Sequence, residues 1–585
     1  MRYHFTAVAI VSILGGVVSL ATAQAVRPAP AGPAHRLQYR WVRVGVDMTR
    51  DDSVAKAIAL IERAAKAGFN GIALSDSSFT RLDKVTPAYV ASARRVRAAC
   101  RTNAMGCFVS VIPMGNSSTL LGLDPNLAAA LPVKDAPYVV RGGNLMSDDD
   151  VRLVNGGFET VARDGAEGWQ RLPRGTAACA IDTAVACEGK ASLRVADVDR
   201  HSPSGEAQMV QTLKVRPFSY YHVSALVKTQ NFTATDYARI SVTAVRDGTR
   251  LCYYRPDIQP TQDWKVIHIT FNTLEYDQVT LGVGCPYSAK GGTIWFDDVR
   301  LASAGLVNVV RRGGAPLSVT SRDGKMRYVE GRDFTGAADA LLGMSPYAGS
   351  YSIWHRPPVP AVPAGSRLRE GDRVAMSYYH TAIIGTWQVT ADMSEPKVME
   401  LLDAHVARVR DLMAPDGYFM QHDEIRVQGW EPAFETRKLT SGDVLAENIR
   451  SCAGIIRKRD PGKPMFVWSD MFDPTHNART SGRYYLVKGA GPWRQSWRGL
   501  PKDVIVMNWY SQKEGRSDSL GHFSQLGNRQ MLSVCYDSQS ERDQIPLWLS
   551  EAAGVKGLCG VMYTTWTQRF DDLENLLPAA RAAWK

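Results

Sequence analysis

The segment Asp416-Gly-Tyr-Phe-Met-Gln-His-Asp-Glu-Ile-Arg426 is an apolar run that opens on a turn and ends in charged and polar side chains. Tyr418 to Met420 has the length and apolarity of a short buried strand, and His422, Asp423 and Glu424 follow it closely. Carboxylates are seldom buried without a partner, so acids at a strand end form either a paired structural network or a site that uses charge. We favour the functional interpretation, because other apolar runs of this chain also end in polar or aromatic side chains.

Eight further apolar runs recur along the chain, and helix-like segments separate most of them. They cover residues 41–47, 70–74, 107–112, 374–378, 465–470, 503–510, 531–537 and 560–566. Strands buried on both faces that alternate with helices are typical of a parallel sheet or barrel. The sequence therefore predicts an α/β fold, a (β/α)8 TIM barrel, whose working residues lie at the C-terminal ends of its strands. The runs number nine with Tyr418 to Met420, so 374–378 or 531–534 must lie outside the barrel.

The helical pattern disappears from about Val151 to Ala302, where alternating strands and turn signals replace it. This pattern predicts a β-sandwich (jelly-roll) module that interrupts the barrel after its third strand. A module that leaves by a loop after a barrel strand lies on the same face as the pocket. The predicted boundaries are 41–115 and 373–585 for the barrel, 150–303 for the module and 304–372 for a β-rich connector.

The N-terminus has the features of a secretory signal peptide over residues 1–23, with Arg2 before an apolar core and Ala21-Thr22-Ala23 before Gln24. Residues 24–40 begin with an Ala/Pro-rich linker. No later segment is long and apolar enough to cross a bilayer. We expect a periplasmic or secreted protein with no membrane span after signal cleavage, and an uncleaved N-terminal anchor is the alternative.

The composition excludes some classes of partner and of chemistry. The chain has 585 residues and a net charge of +11, but its basic residues alternate with acids and form no block typical of nucleic-acid binding. An acidic polysaccharide remains open as substrate or neighbour. No CxxC or HExxH motif occurs, so we expect no catalytic metal and no cofactor. The nine cysteines allow three local disulfides and leave an odd thiol; the local pairs are Cys100/Cys107, Cys179/Cys187 and Cys252/Cys285.

The acids after the central strand constrain the chemistry. Glycosidases use two carboxylates on opposite sides of the scissile bond, about 5 Å apart for retention and about 6.5–9.5 Å apart for inversion. Asp423 and Glu424 are neighbours that would point to opposite faces of a strand, so they are unsuited to be that opposed pair by themselves. Either one is the acid and the other orients the substrate, or the second carboxylate is distant. The distant candidates are Asp47, Asp76, Asp470 and Asp537.

Several strand ends together resemble glycoside hydrolase family 20, the β-N-acetylhexosaminidase barrels. The first strand ends in Asp47-Met-Thr-Arg50, the second is followed by Asp76 and Phe79, and Trp430 follows the Asp423-Glu424 pair. Later strands end in Trp468, Trp509, Tyr536-Asp537 and Trp566. The resemblance covers the whole barrel.

This resemblance implies roles for the residues that carry it. Glu424 would be the general acid, and Asp423 would orient a substrate acetamido group that attacks the anomeric carbon. Arg50 and Asp537 would hold sugar hydroxyls, while tryptophans wall the ring. The complete set of predicted substrate-binding residues is Asp47, Arg50, Asp76, His422, Arg426, Trp430, Trp468, Asp470, Asn508, Trp509, Tyr510, Tyr536, Asp537 and Trp566.

The ends of the inserted module, Leu153–Glu159 and Ile294–Leu301, resemble the jelly-roll carbohydrate-binding modules found beside glycoside hydrolases. That resemblance implies a structural calcium, with Glu159 and Asp298 as candidate ligands. The sequence thus predicts an exported glycoside hydrolase that acts on a poly- or oligosaccharide. The alternative is a non-catalytic carbohydrate-binding protein on a barrel scaffold.

Overall fold

A computed structural model describes residues 37–163, 165–174, 176–287, 291–479, 484–489 and 493–584. The predicted signal peptide and most of the predicted linker lie outside the described residues. Eight strands form a closed barrel, and every neighbouring pair in it is parallel. These strands are β1 (Tyr39–Gly45), β2 (Gly71–Ser75), β3 (Gly106–Val111), β4 (Gly417–Met420), β5 (Met465–Trp468), β6 (Val504–Asn508), β7 (Gln530–Cys535) and β8 (Leu558–Thr564).

Seven α-helices surround the barrel in alternation with its strands. They are α1 (Asp51–Lys66), α2 (Pro87–Thr102), α3 (Pro396–Met413), α4 (Ser441–Arg459), α5 (Arg516–Leu526), α6 (Gln539–Ala552) and α7 (Leu573–Ala583). Between β5 and β6 the described residues contain 3-10 turns in place of an α-helix. The barrel prediction is therefore confirmed, with one helical connection replaced by irregular structure.

Two hydrophobic layers hold the barrel together. Inside it, the rings of Trp41 and Phe108 stack with centroids 3.9 Å apart, and the Phe466 ring lies 4.4 Å from Trp41. Outside it, the buried stripe of each helix packs on the strands; in α1 that stripe is Val54, Ala57, Ile61 and Ala64. Because both faces of each strand are buried, the strands read as continuous apolar runs.

Between β3 and α3 the chain forms two antiparallel sheets that share one core. One sheet has the order Gln262–Asn272, Tyr220–Gln230, Thr293–Ser303, Ser192–Ala196 and Cys179–Asp182. The other has the order Arg239–Ala244, Gln278–Cys285, Ala207–Lys214 and Gln170–Leu172. Leu193, Val223, Ile240 and Leu281 belong to the core between them. This part of the chain is called the inserted module below; its assignment as a jelly-roll stays a prediction.

A third antiparallel sheet corrects the predicted boundaries. Its order is Arg327–Tyr328, Ser318–Ser321, Arg373–Thr381, Ala130–Arg141 and Asn144–Ser147, with Val309–Val310 paired to the central strand. The run 374–378 is therefore not a barrel strand, and the barrel resumes only at Pro396. Burial alternates along Arg373–Thr381, as expected of a strand with two different faces, whereas β5 and β6 are buried throughout.

Short elements complete the described chain. They are the strands Val161–Ala162, Gly165–Ala166, Val427–Gln428 and Leu486–Val487, and the helices Ser118–Leu121, Val198–His201 and Pro432–Arg437. All nine cysteines are free thiols, so none of the three suggested disulfides is formed. Among the described residues, no helix combines the length and the apolarity that a membrane span requires.

Candidate active site

An open cleft of about 1240 Å³ lies at the carboxyl ends of the barrel strands. Residues at or just beyond the end of all eight strands line it, including Gly45, Ser75, Val111, Gln421, Trp468, Trp509, Cys535 and Thr564. Parallel strands bring their carboxyl ends to one face of the barrel, which is why side chains so distant in sequence meet here.

Three carboxyl groups, those of Asp423, Glu424 and Asp470, meet where β4 and β5 end. The backbone N–H of Glu424 donates a hydrogen bond of 2.9 Å to Oδ2 of Asp470. Asp470 also accepts hydrogen bonds from the Asn477 amide at 2.9 Å and from the Trp509 indole at 3.3 Å. These donors fix the Asp470 carboxylate beneath the cleft and leave Asp423 and Glu424 to face it.

The environments of Asp423 and Asp470 both raise the pKa of the carboxyl group. Burial, together with the negative charges of Asp470 and Glu424, raises the pKa of Asp423 from its ordinary value to about 8. Burial also raises the pKa of Asp470, to about 6, although its hydrogen bonds act in the opposite direction. Asp423 therefore holds a proton at neutral pH.

Glu424 is ion-paired. Its carboxylate lies 2.6 Å from the guanidinium of Arg426, whose side chain is 6% exposed while that of Glu424 is 37% exposed. Arg426 is fixed in turn by its hydrogen bond to the Gln388 side chain at 3.2 Å and by the Tyr484 ring, 4.2 Å away. The Glu424 carboxylate is therefore held by a buried guanidinium beside Asp423 at the cleft.

The backbone around these acids is unusual in two respects. Glu424 has a φ of 48°, in the left-handed region that non-glycine residues seldom adopt. Gly115, in the loop after β3, packs so closely that a Cβ there would lie 1.5 Å from the carbonyl oxygen of Asp423. Backbone strain of this kind is concentrated at functional sites, where the surrounding structure enforces it.

Aromatic rings wall the cleft. Trp468, Trp509, Tyr510 and Trp566, all predicted to bind substrate, line it. Trp566 is 57% exposed, and the guanidinium of Arg43 lies 3.8 Å from its ring centroid on one face. An exposed indole supported from one side is a flat platform of the kind on which the apolar face of a sugar ring packs.

Six predicted substrate-binding residues do not line the cleft; they are His422, Trp430, Asp470, Asn508, Tyr536 and Asp537. His422 is buried against α4, where its ring N–H donates a 2.9 Å hydrogen bond to the Asn448 side-chain oxygen. Trp430 is buried against the inserted module and donates from its indole to the Leu486 carbonyl. Asn508 bonds the Ser519 hydroxyl, and Tyr536 stacks on Tyr563.

Asp537 shapes the loop that follows β8. It accepts hydrogen bonds from the hydroxyl groups of Thr565 and Thr567 and from the backbone N–H of Trp566. Its carboxylate therefore positions the Trp566 platform rather than a sugar hydroxyl. Asp470 likewise does not line the cleft; it holds the Glu424 backbone and the Trp509 indole by hydrogen bonds.

The predicted residues from β1 and β2 lie at the rim and have partners within the chain. Asp47 accepts a 2.5 Å hydrogen bond from the Thr49 hydroxyl, and Arg50 pairs with Asp52 at the protein surface. Asp76 accepts from the backbone N–H of Met48 and of Ser78, and burial raises its pKa. These contacts shape the two loops, while Asp47, Arg50 and Asp76 still border the cleft.

The structure adds cleft residues that sequence reasoning missed. Arg43 precedes the end of β1, Trp387 and Gln388 lie in the loop before α3, and Tyr253 and Arg255 belong to the inserted module. Only the exposed Trp387 carried a sequence signal, an indole between polar residues. Arg43 lies within the first predicted strand, whereas Gln388, Tyr253 and Arg255 come from segments that no strand-end pattern could connect to the pocket.

The candidate calcium ligands have partners within the protein. Glu159 accepts hydrogen bonds from the backbone N–H of Lys190 and Ala191, and Asp298 pairs with Arg300 at 2.7 Å. Within the described ranges, no group of three or more His, Cys, Asp or Glu side chains is arranged to hold a metal ion.

The chain matches no protein-family model, and no curated protein matches it. Among solved structures, it is similar to the rhamnosidase of Novosphingobium sp. PP1Y, at 11% identity over 94% of this chain and 59% of that chain, with a TM-score of 0.33. It is similar to the chitobiase of Flavobacterium johnsoniae at 16% identity over 35% of each chain, with a TM-score of 0.20. It is also similar to a xylan-binding domain of Paenibacillus barcinonensis Xyn10C, at 18% identity over 25% of this chain and 91% of that chain, with a TM-score of 0.20.

Proposed function

We propose that this protein is an exported glycoside hydrolase that acts on a poly- or oligosaccharide in the barrel cleft. One observation carries the proposal: two neighbouring carboxyl groups, Asp423 with its raised pKa and Glu424 paired with Arg426, face a cleft walled by Trp468, Trp509 and Trp566. Glycosidic bond cleavage needs a proton donor and a charged carboxylate close to the same bond. Pairs of acids whose environments push their pKa values apart are the usual way to supply both.

In the mechanism that the geometry favours, the protonated Asp423 gives its proton to the leaving oxygen. The glycosidic C–O bond breaks as this proton moves, and positive charge develops at the anomeric carbon. Glu424, held by Arg426, stabilises that charge while a water molecule adds to the anomeric carbon, and the proton that this water loses returns to Asp423. This exchanges the roles that the family-20 resemblance implies.

The roles implied by the resemblance form a second assignment, with Glu424 as general acid and Asp423 orienting an acetamido group of the substrate. The exposure of the Glu424 carboxylate to the cleft favours it, because a proton donor must reach the scissile bond. Under this assignment substrate binding would have to release Glu424 from Arg426. An N-acetylhexosamine substrate belongs to this second assignment only.

The test compares Asp423→Asn and Glu424→Gln on substrates with poor and good leaving groups. Loss of a general acid should lower turnover by about 10²- to 10⁴-fold for a poor leaving group and much less for a good one. We expect this leaving-group dependence for Asp423→Asn. The same changes at the exposed, ion-paired Asp503 and Glu574 serve as controls and should leave turnover unchanged.

The outcome distinguishes the candidates. Leaving-group dependence in Glu424→Gln alone would establish the second assignment. If a broad glycan panel is bound but never cleaved, the protein is a carbohydrate-binding protein on a barrel scaffold. The Glu424–Arg426 ion pair favours that alternative, because it occupies one of the two cleft carboxylates. Export is part of the proposal and rests on the sequence of residues 1–23.

A further inference from the structure

The inserted module contributes one wall of the cleft. Its segment Tyr253 to Arg255 pairs with the loop that borders the cleft: the N–H of Gly385 donates to the Tyr253 carbonyl at 2.6 Å, and the N–H of Arg255 donates to the Gly385 carbonyl at 2.9 Å. The Tyr253 ring stacks on Tyr484 with centroids 4.1 Å apart. The module is thus tied to the barrel at the point where a glycan would lie.

This wall is rich in arginine. The guanidinium groups of Arg239, Arg255 and Arg426 each lie within 6.0 Å of the Tyr253 ring centroid, and Arg250 lies 5.6 Å from the ring of Tyr287. Among them, only Arg426 forms a salt bridge with a carboxylate of the described chain, that of Glu424. Arg239 uses its donors on the backbone carbonyls of Asp236 and Tyr237.

The other charged groups near the wall leave it positive. Asp236 is close enough to Arg255 to interact with its charge. Asp257 forms a salt bridge with Lys265 instead. Burial acts to raise the pKa of Tyr253, but the hydrogen bond from Arg255 and the charges of Arg255 and Arg239 hold that pKa below its ordinary value. The opposite side of the cleft carries Asp47, Asp52 and Asp76, so charge is unevenly distributed across it.

We propose that the arginine wall, defined as Arg239, Arg250 and Arg255, binds an anionic group on the glycan, so that the substrate is an acidic poly- or oligosaccharide. Arg255 is exposed in the cleft and carries the direct contact, whereas the buried Arg239 adds its charge. A guanidinium matches the two oxygens of a carboxylate or of a sulfate ester in a bidentate pair. This proposal rests on the proposed function in one respect, namely that the glycan lies in the barrel cleft.

The experiment measures equilibrium binding of the full chain to matched glycan pairs. One arm uses uronic-acid oligosaccharides and their carboxyl-reduced counterparts, and the other uses sulfated oligosaccharides and their desulfated counterparts. Binding is measured at low temperature, in the unaltered chain and in the Asp423→Asn background, so that cleavage does not interfere. The variant is Arg255→Gln, with Arg246→Gln as the control, because Arg246 lies 4.5 Å from the Tyr276 ring in the same module and outside the cleft.

We expect the anionic member of a pair to bind about tenfold or more tightly than its neutral counterpart. Arg255→Gln should weaken that binding by about 10- to 100-fold and leave the neutral member unaffected, as expected for the loss of a charge-assisted hydrogen bond. Arg246→Gln should bind like the unaltered chain. The arm that responds identifies the anion as carboxylate or sulfate.

Three results would overturn the proposal. The neutral and anionic members of a pair could bind equally tightly, the Arg255→Gln variant could bind the anionic member as tightly as the unaltered chain does, or no anionic glycan could bind at about 1 mM. Failure of the proposed function looks different. Arg255-dependent binding without cleavage would refute the hydrolase proposal and support the arginine-wall proposal. Cleavage of neutral glycans alone would support the hydrolase proposal and refute the arginine-wall proposal.

Discussion

The backbone N–H of Glu424 donates a hydrogen bond to the carboxylate of Asp470, 46 residues further along the chain, at 2.9 Å. This bond joins the exits of β4 and β5 and holds Glu424 in its left-handed conformation. It also places a third negative charge close to Asp423. Burial, together with this charge, raises the pKa of Asp423.

The pH dependence of turnover should reflect that raised pKa. If Asp423 is the acid, kcat/KM should fall as pH rises through about 8, because the donor is active only below its pKa. The measurement is a pH–rate profile on a substrate with a poor leaving group. In Asp423→Asn the residual activity should lose this basic limb; a basic limb that persists unchanged in that variant would refute the assignment.

Asp423→Asn should stabilise the protein, and more so at high pH. A carboxyl whose pKa is raised on folding binds its proton more tightly in the native state, so its contribution lowers stability as pH rises from about 4 to about 8. Asparagine does not ionise and removes this cost. We expect a gain of roughly 1–2 kcal/mol at pH 8 and little at pH 4 by thermal or urea unfolding. Asp503→Asn should give no such pH-dependent gain, and equal gains from the two variants would contradict the prediction.

Gly115→Ala should disturb the acids without touching substrate. A Cβ at this position would meet the Asp423 carbonyl at 1.5 Å, so the strand exit must move. We expect a loss of about 1–3 kcal/mol in stability and a fall of about 10²-fold in kcat. Gly454→Ala is the matched control, because its Cβ has nothing within 4 Å in α4 and should add about 0.5–1 kcal/mol.

Two tryptophans predicted to bind sugar should behave oppositely on truncation. Trp430→Ala removes a buried ring between barrel and module and should cost about 3–5 kcal/mol in stability. Trp566→Ala removes an exposed platform and should leave melting nearly unchanged while KM rises about tenfold. Unfolding curves and steady-state kinetics on both variants check this. A large stability loss in Trp566→Ala would mean that the ring is structural.

The mature chain should begin at or near Gln24. Ala21-Thr22-Ala23 provides the small residues that signal peptidase needs before the cleaved bond. Terminal sequencing of protein recovered from the periplasm or the medium of the native host tests this. Full-length chain in the cytoplasm would count against export.

The sequence by itself determined the barrel and the place of its site. Strands buried on both faces read as unbroken apolar runs, so β5 and β6 could be located almost to the residue. The acids and indoles that follow those runs had to share one face, because parallel strands end together. Arg373–Thr381 was ambiguous, since a short alternating strand with small residues resembles an apolar run.

Tertiary structure alone decided what each of these residues does. His422 and Trp430 follow the same strand as Asp423, yet one packs against α4 and the other against the inserted module. The raised pKa of Asp423 depends in part on the charge of Asp470. The ion pair of Glu424 depends on an arginine that Gln388 and Tyr484 hold in place. Protonation and substrate contact are set by burial and by charges a few ångströms away. Those distances arise only when loops and an inserted module, unrelated in sequence, close over the same cleft.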